Sequence, residues 1–198
     1  FRVVDGLDGQ PDAAEFDALA PPLPGTLLGA EVADPADRVW RTRLDPQALP
    51  HPGGHRIQGV DVVPASVLLH TLSAVVADLD TPSAIGGVRF EYPIVADRVR
   101  AVDVRLASDG VLTVASSTAP GAPADRWVEH VRATVVEAAA ADVTGRRAVA
   151  AQAYDASRAA ELQRAWGIEG QPFGWTVGTH AAADGELTAE IALPSDDE

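Results

Sequence analysis

The chain has 198 residues, 46% of them apolar, which is enough material to bury a hydrophobic core. Its 29 acidic residues outnumber 15 basic ones, all arginine, and the formal charge of −14 disfavours nucleic acid and anionic membranes as partners. No apolar run approaches the roughly 18 residues of a membrane span, and the lack of cysteine excludes disulfides and thiolate sites. We therefore expect a soluble, cytoplasmic protein.

The first part of the chain predicts an irregular lead-in, a strand and one long apolar helix. Residues 1–26 are rich in Asp, Ala, Pro and Gly and lack an initiator methionine, so we expect a linker within a longer chain. Arg38 to Asp45 alternate polar and apolar side chains, as a half-buried strand does. Pro64 suits the first helical position, and the residues from Ala65 to Leu79 are apolar on nearly all faces. This pattern predicts a helix that is buried rather than amphipathic.

Four β-rich segments follow the helix, and they are separated by short turns. They read "GVRFEYPIV", "RVRAVDVRLAS", "GVLTVASSTA" and "RWVEHVRATVVEA", and the pair Asp109-Gly110 predicts a hairpin. A helix followed by antiparallel strands predicts an α+β fold in which a sheet wraps a buried helix. We place this first unit at residues 27–137.

A second, shorter unit is predicted after a spacer over residues 138–152. A helix from Tyr154 to about Trp166 precedes two strands, "GWTVGTHAAA" and "ELTAEIALP". With one helix and only two strands, residues 153–198 form the start of a second unit that is incomplete in this chain.

The stretch "GGHRIQGVDVVPASVLLHTL" contains the strongest candidate for chemistry. A histidine is the natural general base near neutral pH, so His55 is a candidate base. Gly59 lacks a Cβ and could let the backbone approach a ligand closely, with nearby N–H groups as donors to a carbonyl that gains negative charge. The spacing alone is short, and on this motif alone a histidine is more often a turn or loop residue than a catalytic one.

A longer set of motifs resembles the dehydratase domains of polyketide synthases, which have a double hot-dog fold. His55, Gly59 and Pro64 match the signature of that family. The segments "HRIQGVDVVPASVLLHTL", "RWVEHVRATV" and "GIEGQPFGWTV" are similar to the dehydratase or thioester hydrolase domain of 6-methylsalicylic, orsellinic and naphthoic acid synthases. The similarity runs from about Leu27 to Pro194 in matching order.

The resemblance implies a role for each part of the site. His55 would remove a proton beside the thioester carbonyl of a β-hydroxyacyl substrate, which arrives on the phosphopantetheine of an acyl carrier protein. Gly59, Val60 and Pro64 would contact the substrate. A catalytic Asp would come from the second unit's own central helix, beyond where this sequence stops, and Glu161 becomes the candidate acid only if a closed sheet surrounds the helix at Tyr154.

The segment "GIEGQPFGW" is expected to form an irregular loop that lines the acyl tunnel, with Phe173 or Trp175 as wall. A simple connection between helix and strand is the alternative. The family calls for no metal and no cofactor bound by the domain. Its partners would be the carrier protein and neighbouring synthase domains, in a homodimer of the parent synthase, with Arg56 as one candidate contact to the carrier protein.

The other histidines have simpler expected roles. His51 lies in a proline-flanked turn and should be solvated. His70 falls on the apolar helix and should be a hydrogen-bonded core or tunnel-lining residue, whereas His130 and His180 lie on strands with cross-strand or surface roles. His51 and His55 are four residues apart, but the proline and glycines between them disfavour the helix that a metal site of this spacing needs. Ser66 and Ser116 do not lie in the strained turn that presents the nucleophile of a serine hydrolase.

Three functional classes remain open from the sequence. A dehydratase needs both His55 and an acid, a thioester hydrolase that releases product could use the same histidine alone, and a scaffold domain would need neither. Neither proposed reaction requires a metal or redox cofactor.

Overall fold

The computed structural model describes residues 13–138, 152–153, 155–183 and 186–192. The chain divides into two compact units. The first comprises Phe1–His51 and Val60–Ala139, and the second comprises Pro52–Gly59 and Ala140–Glu198. The sequence placed His55 within the unit at 27–137, whereas its segment groups with the second unit because its backbone pairs with a strand there.

Three α-helices and twelve strands are present in the described part of the chain. The helices are α1 (Ala13–Asp17), α2 (Ala65–Ala77) and α3 (Ala156–Ala165). The strands are β1 (Ala30–Val32), β2 (Arg38–Leu44), β3 (Arg56–Ile57), β4 (Val60–Asp61), β5 (Ser83–Phe90), β6 (Arg100–Leu106), β7 (Val111–Ser117), β8 (Val128–Glu137), β9 (Gln152–Ala153), β10 (Ile168–Glu169), β11 (Thr176–Ala183) and β12 (Glu186–Ala192).

An antiparallel sheet of six strands forms most of the first unit, in the order β1-β2-β6-β7-β8-β5. Buried and half-buried residues alternate over most of β2, as the sequence pattern predicted, and over most of β7, whereas four consecutive residues of β6 are buried. The predicted hairpin at Asp109-Gly110 is present, with Gly110 at φ 82° and its N–H donating to the Ala107 carbonyl at 2.9 Å. Local turn chemistry and strand periodicity therefore set the centre of this sheet.

Helix α2 packs on the sheet with one face only, so the prediction of burial on every side was wrong. Its buried residues follow a helical spacing: Val67, Leu68, Thr71, Leu72, Val75 and Val76. Leu69 and His70, on the other side, are exposed. Because apolar residues occur all round this helix, composition could not tell which face the sheet covers. Pro64 is the N-cap, with φ −61° and ψ 144°, and not the first helical residue that we predicted.

The described part of the lead-in is packed against the first unit. Phe16 of α1 is buried, and the Ala20 carbonyl accepts hydrogen bonds from the Thr42 hydroxyl at 2.8 Å and the Arg43 N–H at 3.1 Å. The Leu27 N–H donates to the buried Thr71 hydroxyl at 2.9 Å. This segment is an irregular cover over β2 and α2, and residues 1–12 lie outside the described residues.

The second unit contains a small antiparallel sheet, β12-β11-β9, and the helix α3. The helix agrees with the prediction over Tyr154 to Trp166, and Asp155 caps it by accepting the Arg158 N–H at 2.9 Å. None of the ten residues of α3 is buried. The sheet is therefore not wrapped around α3, which fits the expectation that this helix is peripheral.

Candidate active site

Backbone hydrogen bonds hold the segment that carries His55 on both sides of that residue. Strand β3 pairs antiparallel with β10, so that Ile57 lies opposite Ile168. Before His55, the Gly53 N–H donates to the Pro172 carbonyl at 3.0 Å, and after it the Gln58 N–H donates to the Gly167 carbonyl at 2.7 Å. The motifs "GGHRIQ" and "GIEGQP" thus form one local structure within the second unit.

Glycines make this close pairing possible. A Cβ on Gly53 would collide with the carbonyl oxygen of Gln171, and a Cβ on Gly170 would collide with the carbonyl oxygen of Gly54. Gly170 also has φ 84°, in the region that side chains other than glycine rarely adopt. These glycines allow backbone to approach backbone, and their positions fix where His55 lies.

Gly59 has a conformational reason to be glycine, and the close approach of a ligand that we predicted there stays a prediction. It has φ 78°, and the preceding Gln58 has φ 54°, so both central residues of this two-residue turn are left-handed, as a type I′ turn requires. A Cβ on Gly59 would meet open space, with no atom within 4 Å. The turn conformation selects glycine here, and close contact with neighbouring atoms does not.

The predicted substrate-contacting residues divide between the two units. Val60 is exposed in β4 and Pro64 is buried at the start of α2, both in the first unit. Phe173 and Trp175 are half-buried in the second unit, where the Trp175 N–H donates to the Phe173 carbonyl at 3.0 Å. The Gln171 side chain donates to the Trp175 carbonyl at 2.6 Å and closes the turn. Their contact with substrate stays a prediction.

The imidazole of His55 is partly exposed, and its Nδ1 atom is shielded from solvent. The side chain therefore lies at the surface of the local structure with one edge covered. This placement is compatible with proton transfer at the uncovered part of the ring, and the catalytic role itself stays a prediction.

Two other histidines differ from their predicted environments. His51, expected to be solvated, is buried with 6% exposure. His70, expected in the core or lining the tunnel, is exposed on α2, so the core role was wrong and the tunnel-lining role stays a prediction. Its Nδ1 lies 3.0 Å from the Gly25 carbonyl oxygen, so the predicted hydrogen bond is present. Neighbouring prolines or apolar residues in the sequence do not indicate on which side of the backbone each imidazole ring lies. The side chain of His180, on β11, lies outside the described residues.

His130 is the centre of a buried polar network in the first unit. It is 3% exposed, its Nε2 lies 2.8 Å from the Ser116 hydroxyl on the neighbouring strand, and its Nδ1 lies 2.9 Å from the Tyr92 carbonyl oxygen. The cross-strand role was thus predicted correctly and the surface role was not. The pKa of His130 is lowered to about 4, chiefly by burial and also by the positive charge of Arg100, against the opposing backbone hydrogen bonds at Tyr92 and Pro93.

Ser116 and His130 are hydrogen-bonded as a nucleophile and its base would be, but a substrate cannot reach them. Ser116 is 1% exposed, so no acyl group can reach its hydroxyl. Ser66 is exposed on the first turn of α2, without a strained turn of its own.

The described residues contain no group of three or more His, Asp or Glu side chains placed to hold a metal ion. No helix among them is long and apolar enough to cross a membrane.

Comparisons with known proteins agree with the resemblance seen in the sequence. The family of the polyketide synthase dehydratase domain matches residues 25–117. A phenolphthiocerol/phthiocerol polyketide synthase of Mycobacterium tuberculosis is 40% identical over 188 residues, which cover 87% of this chain and 10% of that protein. The chain belongs to the polyketide synthase dehydratase family.

Further relatives of this dehydratase domain include 5-methyl-1-naphthoate synthase of Streptomyces sahachiroi, 28% identical over 79% of the chain and 10% of that protein. The resemblance to synthases of small aromatic acids is confirmed, and the phthiocerol synthase shows that the relatives extend beyond them. The chain spans about one tenth of the length of these curated relatives.

A solved dehydratase structure from work on the borrelidin and fluvirucin polyketide synthases has a TM-score of 0.68 and 21% identity, over 88% of this chain and 67% of that one. The predicted α+β hot-dog fold, an antiparallel sheet packed on a helix, is confirmed. Sequence reasoning named His55 and the "GIEGQPF" motif separately and missed their pairing. The glycines of both motifs were the one signal that could have suggested it.

Proposed function

We propose that this domain removes water from a β-hydroxyacyl thioester and that His55 is the general base. The observation that carries the proposal is the family match over residues 25–117, which includes the histidine at the position of the family signature. The hydrogen bonds at Gly53 and Gln58 support it, because a base must be held within reach of the proton that it removes.

The proposed reaction is a balanced elimination. The neutral imidazole of His55 takes the proton from the carbon beside the thioester carbonyl. The electron pair of that C–H bond forms the carbon–carbon double bond, and the β-hydroxyl leaves with a proton from an acid as water. Backbone N–H groups near Gly59 would stabilise the charge that develops on the thioester oxygen.

Glu161 does not suit the role of that acid. Its side chain is 57% exposed and pairs with Arg158 at 3.2 Å, whereas a general acid at neutral pH needs a carboxyl group held in an apolar setting. We assign the role instead to the Asp that the family resemblance implies on a central helix of the second unit, which is not among the described residues.

The substrate wall that we propose consists of the predicted apolar residues. Val60 and Pro64 would contact the acyl chain, as would Phe173 and Trp175. The acyl chain would arrive on the phosphopantetheine of a carrier protein, and the domain itself would bind no metal or redox cofactor. We place the protein in the cytoplasm, among the neighbouring domains of a homodimeric synthase.

The net charge of −14 argues that recognition of an acidic carrier protein depends on tethering. A covalent linker supplies an effective concentration of order millimolar, so little intrinsic affinity is needed. The exposed Arg56, next to His55, is the candidate contact. Isothermal calorimetry with free carrier protein should give a dissociation constant well above about 1 µM; a tight complex would contradict the proposal.

The decisive experiment supplies a β-hydroxyacyl surrogate thioester to the full-length protein that carries this chain. An enoyl thioester identifies a dehydratase, free acid identifies a thioester hydrolase, and unchanged substrate identifies a scaffold. The variant His55→Ala should lose enoyl formation by about a hundredfold or more while circular dichroism shows an intact fold. Glu161→Gln, which removes an exposed carboxyl group, should remain as active as the wild type. Retained activity in folded His55→Ala would refute the assignment.

A further inference from the structure

His130 is linked by consecutive hydrogen bonds to the segment that precedes α2. The Tyr92 carbonyl can only accept, so the Nδ1 of His130 carries the proton and donates to it, at 2.9 Å. The Nε2 atom of the neutral ring must then accept the Ser116 O–H, at 2.8 Å. The imidazole is thus held as one tautomer between β7 and the chain that leaves β5.

The chain that follows Tyr92 in turn holds residues 61–63 in place. The Val63 N–H donates to the Ile94 carbonyl at 2.9 Å, the Ala96 N–H donates to the Asp61 carbonyl at 2.9 Å, and Val62 forms an antiparallel bridge with Val95. Ile94 and Val63 are buried, so water does not replace these contacts. A shift at Tyr92 would therefore move residues 61–63.

Residues 61–63 lie directly between Val60 and Pro64, two of the residues that we assign to the substrate wall. Pro64 begins α2, so the direction of the helix depends on the same segment. His130 itself is buried. It can act on substrate only through the backbone that it holds.

We propose that His130 is a positioning residue, which aligns the segment Asp61–Pro64 for substrate through its hydrogen bond to the Tyr92 carbonyl. This inference rests on the proposed function, because it requires that Val60 and Pro64 contact the acyl chain. The hydrogen bond to Ser116 orients the ring and contributes less to this positioning.

Two amide substitutions separate positioning from simple filling of space. In His130→Asn the amide nitrogen lies near the former Nδ1 and can still donate to Tyr92, whereas in His130→Gln the amide lies near the former Nε2 and keeps only the contact with Ser116. Asn is the smaller residue and leaves the larger cavity. A role in packing alone therefore makes His130→Asn the worse variant, and a positioning role makes His130→Gln the worse one.

The measurements are steady-state kinetics of the full-length protein on the surrogate thioester and hydrogen exchange of peptides that cover residues 60–64. His130→Gln should lower kcat by about tenfold or more, because misplacement by about 1 Å has effects of this size, and should speed exchange at residues 60–64. His130→Asn and Ser116→Ala should stay within about threefold of wild type. The acid limb of the pH–rate profile, which His55 sets, should not move in any of them.

Exchange of peptides from β6 and β7 serves as the control for folding, and it should be unchanged. Wild-type kcat in His130→Gln, or an equal or greater loss in His130→Asn, would overturn the inference. A failure of the proposed function appears differently, as wild-type protein that forms no enoyl product, and the exchange result at residues 60–64 does not depend on it.

Discussion

The buried imidazole of His130 makes the stability of the first unit depend on pH by an amount that follows from its surroundings. The pKa of this ring is lowered from 6.5 to about 4 in the folded chain, chiefly by burial. Between pH 6.5 and about pH 4, the unfolded chain therefore binds a proton on His130 and the folded chain does not. The contribution of His130 is fully present above about pH 6.5 and is lost as the pH falls toward about 4.

The size of this effect follows from the difference between the two pKa values. Each unit corresponds to about 1.4 kcal/mol, so the whole contribution is on the order of 3 kcal/mol. About 2 kcal/mol of it should be lost between about pH 8 and about pH 5. For a chain of this size, such a change is a large part of the free energy of unfolding.

The assay is denaturant unfolding of the chain at several pH values, followed by tryptophan fluorescence, to which Trp40 and Trp127 of the first unit contribute. Other groups also titrate in this range, so the informative quantity is the difference between the wild type and His130→Asn. That variant keeps a donor to Tyr92 and has no ionisable group at the position. The difference should shrink by about 2 kcal/mol from about pH 8 to about pH 5. Parallel pH profiles for the two proteins would refute the reasoning.

Two further predictions concern a turn and an ion pair. Gly59→Ala should destabilise the fold by about 1–2 kcal/mol, because Gly59 has a φ of 78°. The control Gly54→Ala should be nearly neutral in the same unfolding assay, because Gly54 has open space for a Cβ and no positive φ. Equal effects would contradict the role of the turn. Asp103→Ala should lower the free energy of unfolding by about 2–3 kcal/mol, because the buried carboxylate accepts two hydrogen bonds of 2.6 Å from Arg41. Asp17→Ala, which removes the exposed partner of Arg43, should lower it by less than about 0.5 kcal/mol. Comparable costs for Asp103 and Asp17 would show that burial is not the deciding factor.

The parts of the fold that could be predicted are those whose signal is local. Strand β2, the hairpin at Asp109-Gly110 and helix α2 each follow from periodicity or turn residues within a short stretch. Strands β3 and β10, of two residues each, have too little length for any periodicity to appear. They form because they pair with one another, and a pairing between such distant residues leaves no pattern in either segment alone.

The candidate site was predictable only in part for the same reason. The resemblance pointed to His55, but the burial of His51 and the exposure of His70 depend on which side of each backbone the rest of the fold covers. The network of His130 was hidden because its partners, Ser116 and the Tyr92 carbonyl, come from different strands and a connecting segment. A histidine in a strand gives no sign in the sequence of what lies opposite it.

The glycines around His55 show how a motif can be correct and its explanation incomplete. Gly53 and Gly170 are glycines because another backbone occupies the space of a Cβ, and Gly59 is one because the turn needs a positive φ. None of these reasons requires a ligand. What the three positions have in common is that each fixes the path of the backbone on one side of His55. A general base works only when its ring is held at a set distance from the proton that it removes, so the precision of this backbone is the physical link between the glycine pattern and the proposed chemistry.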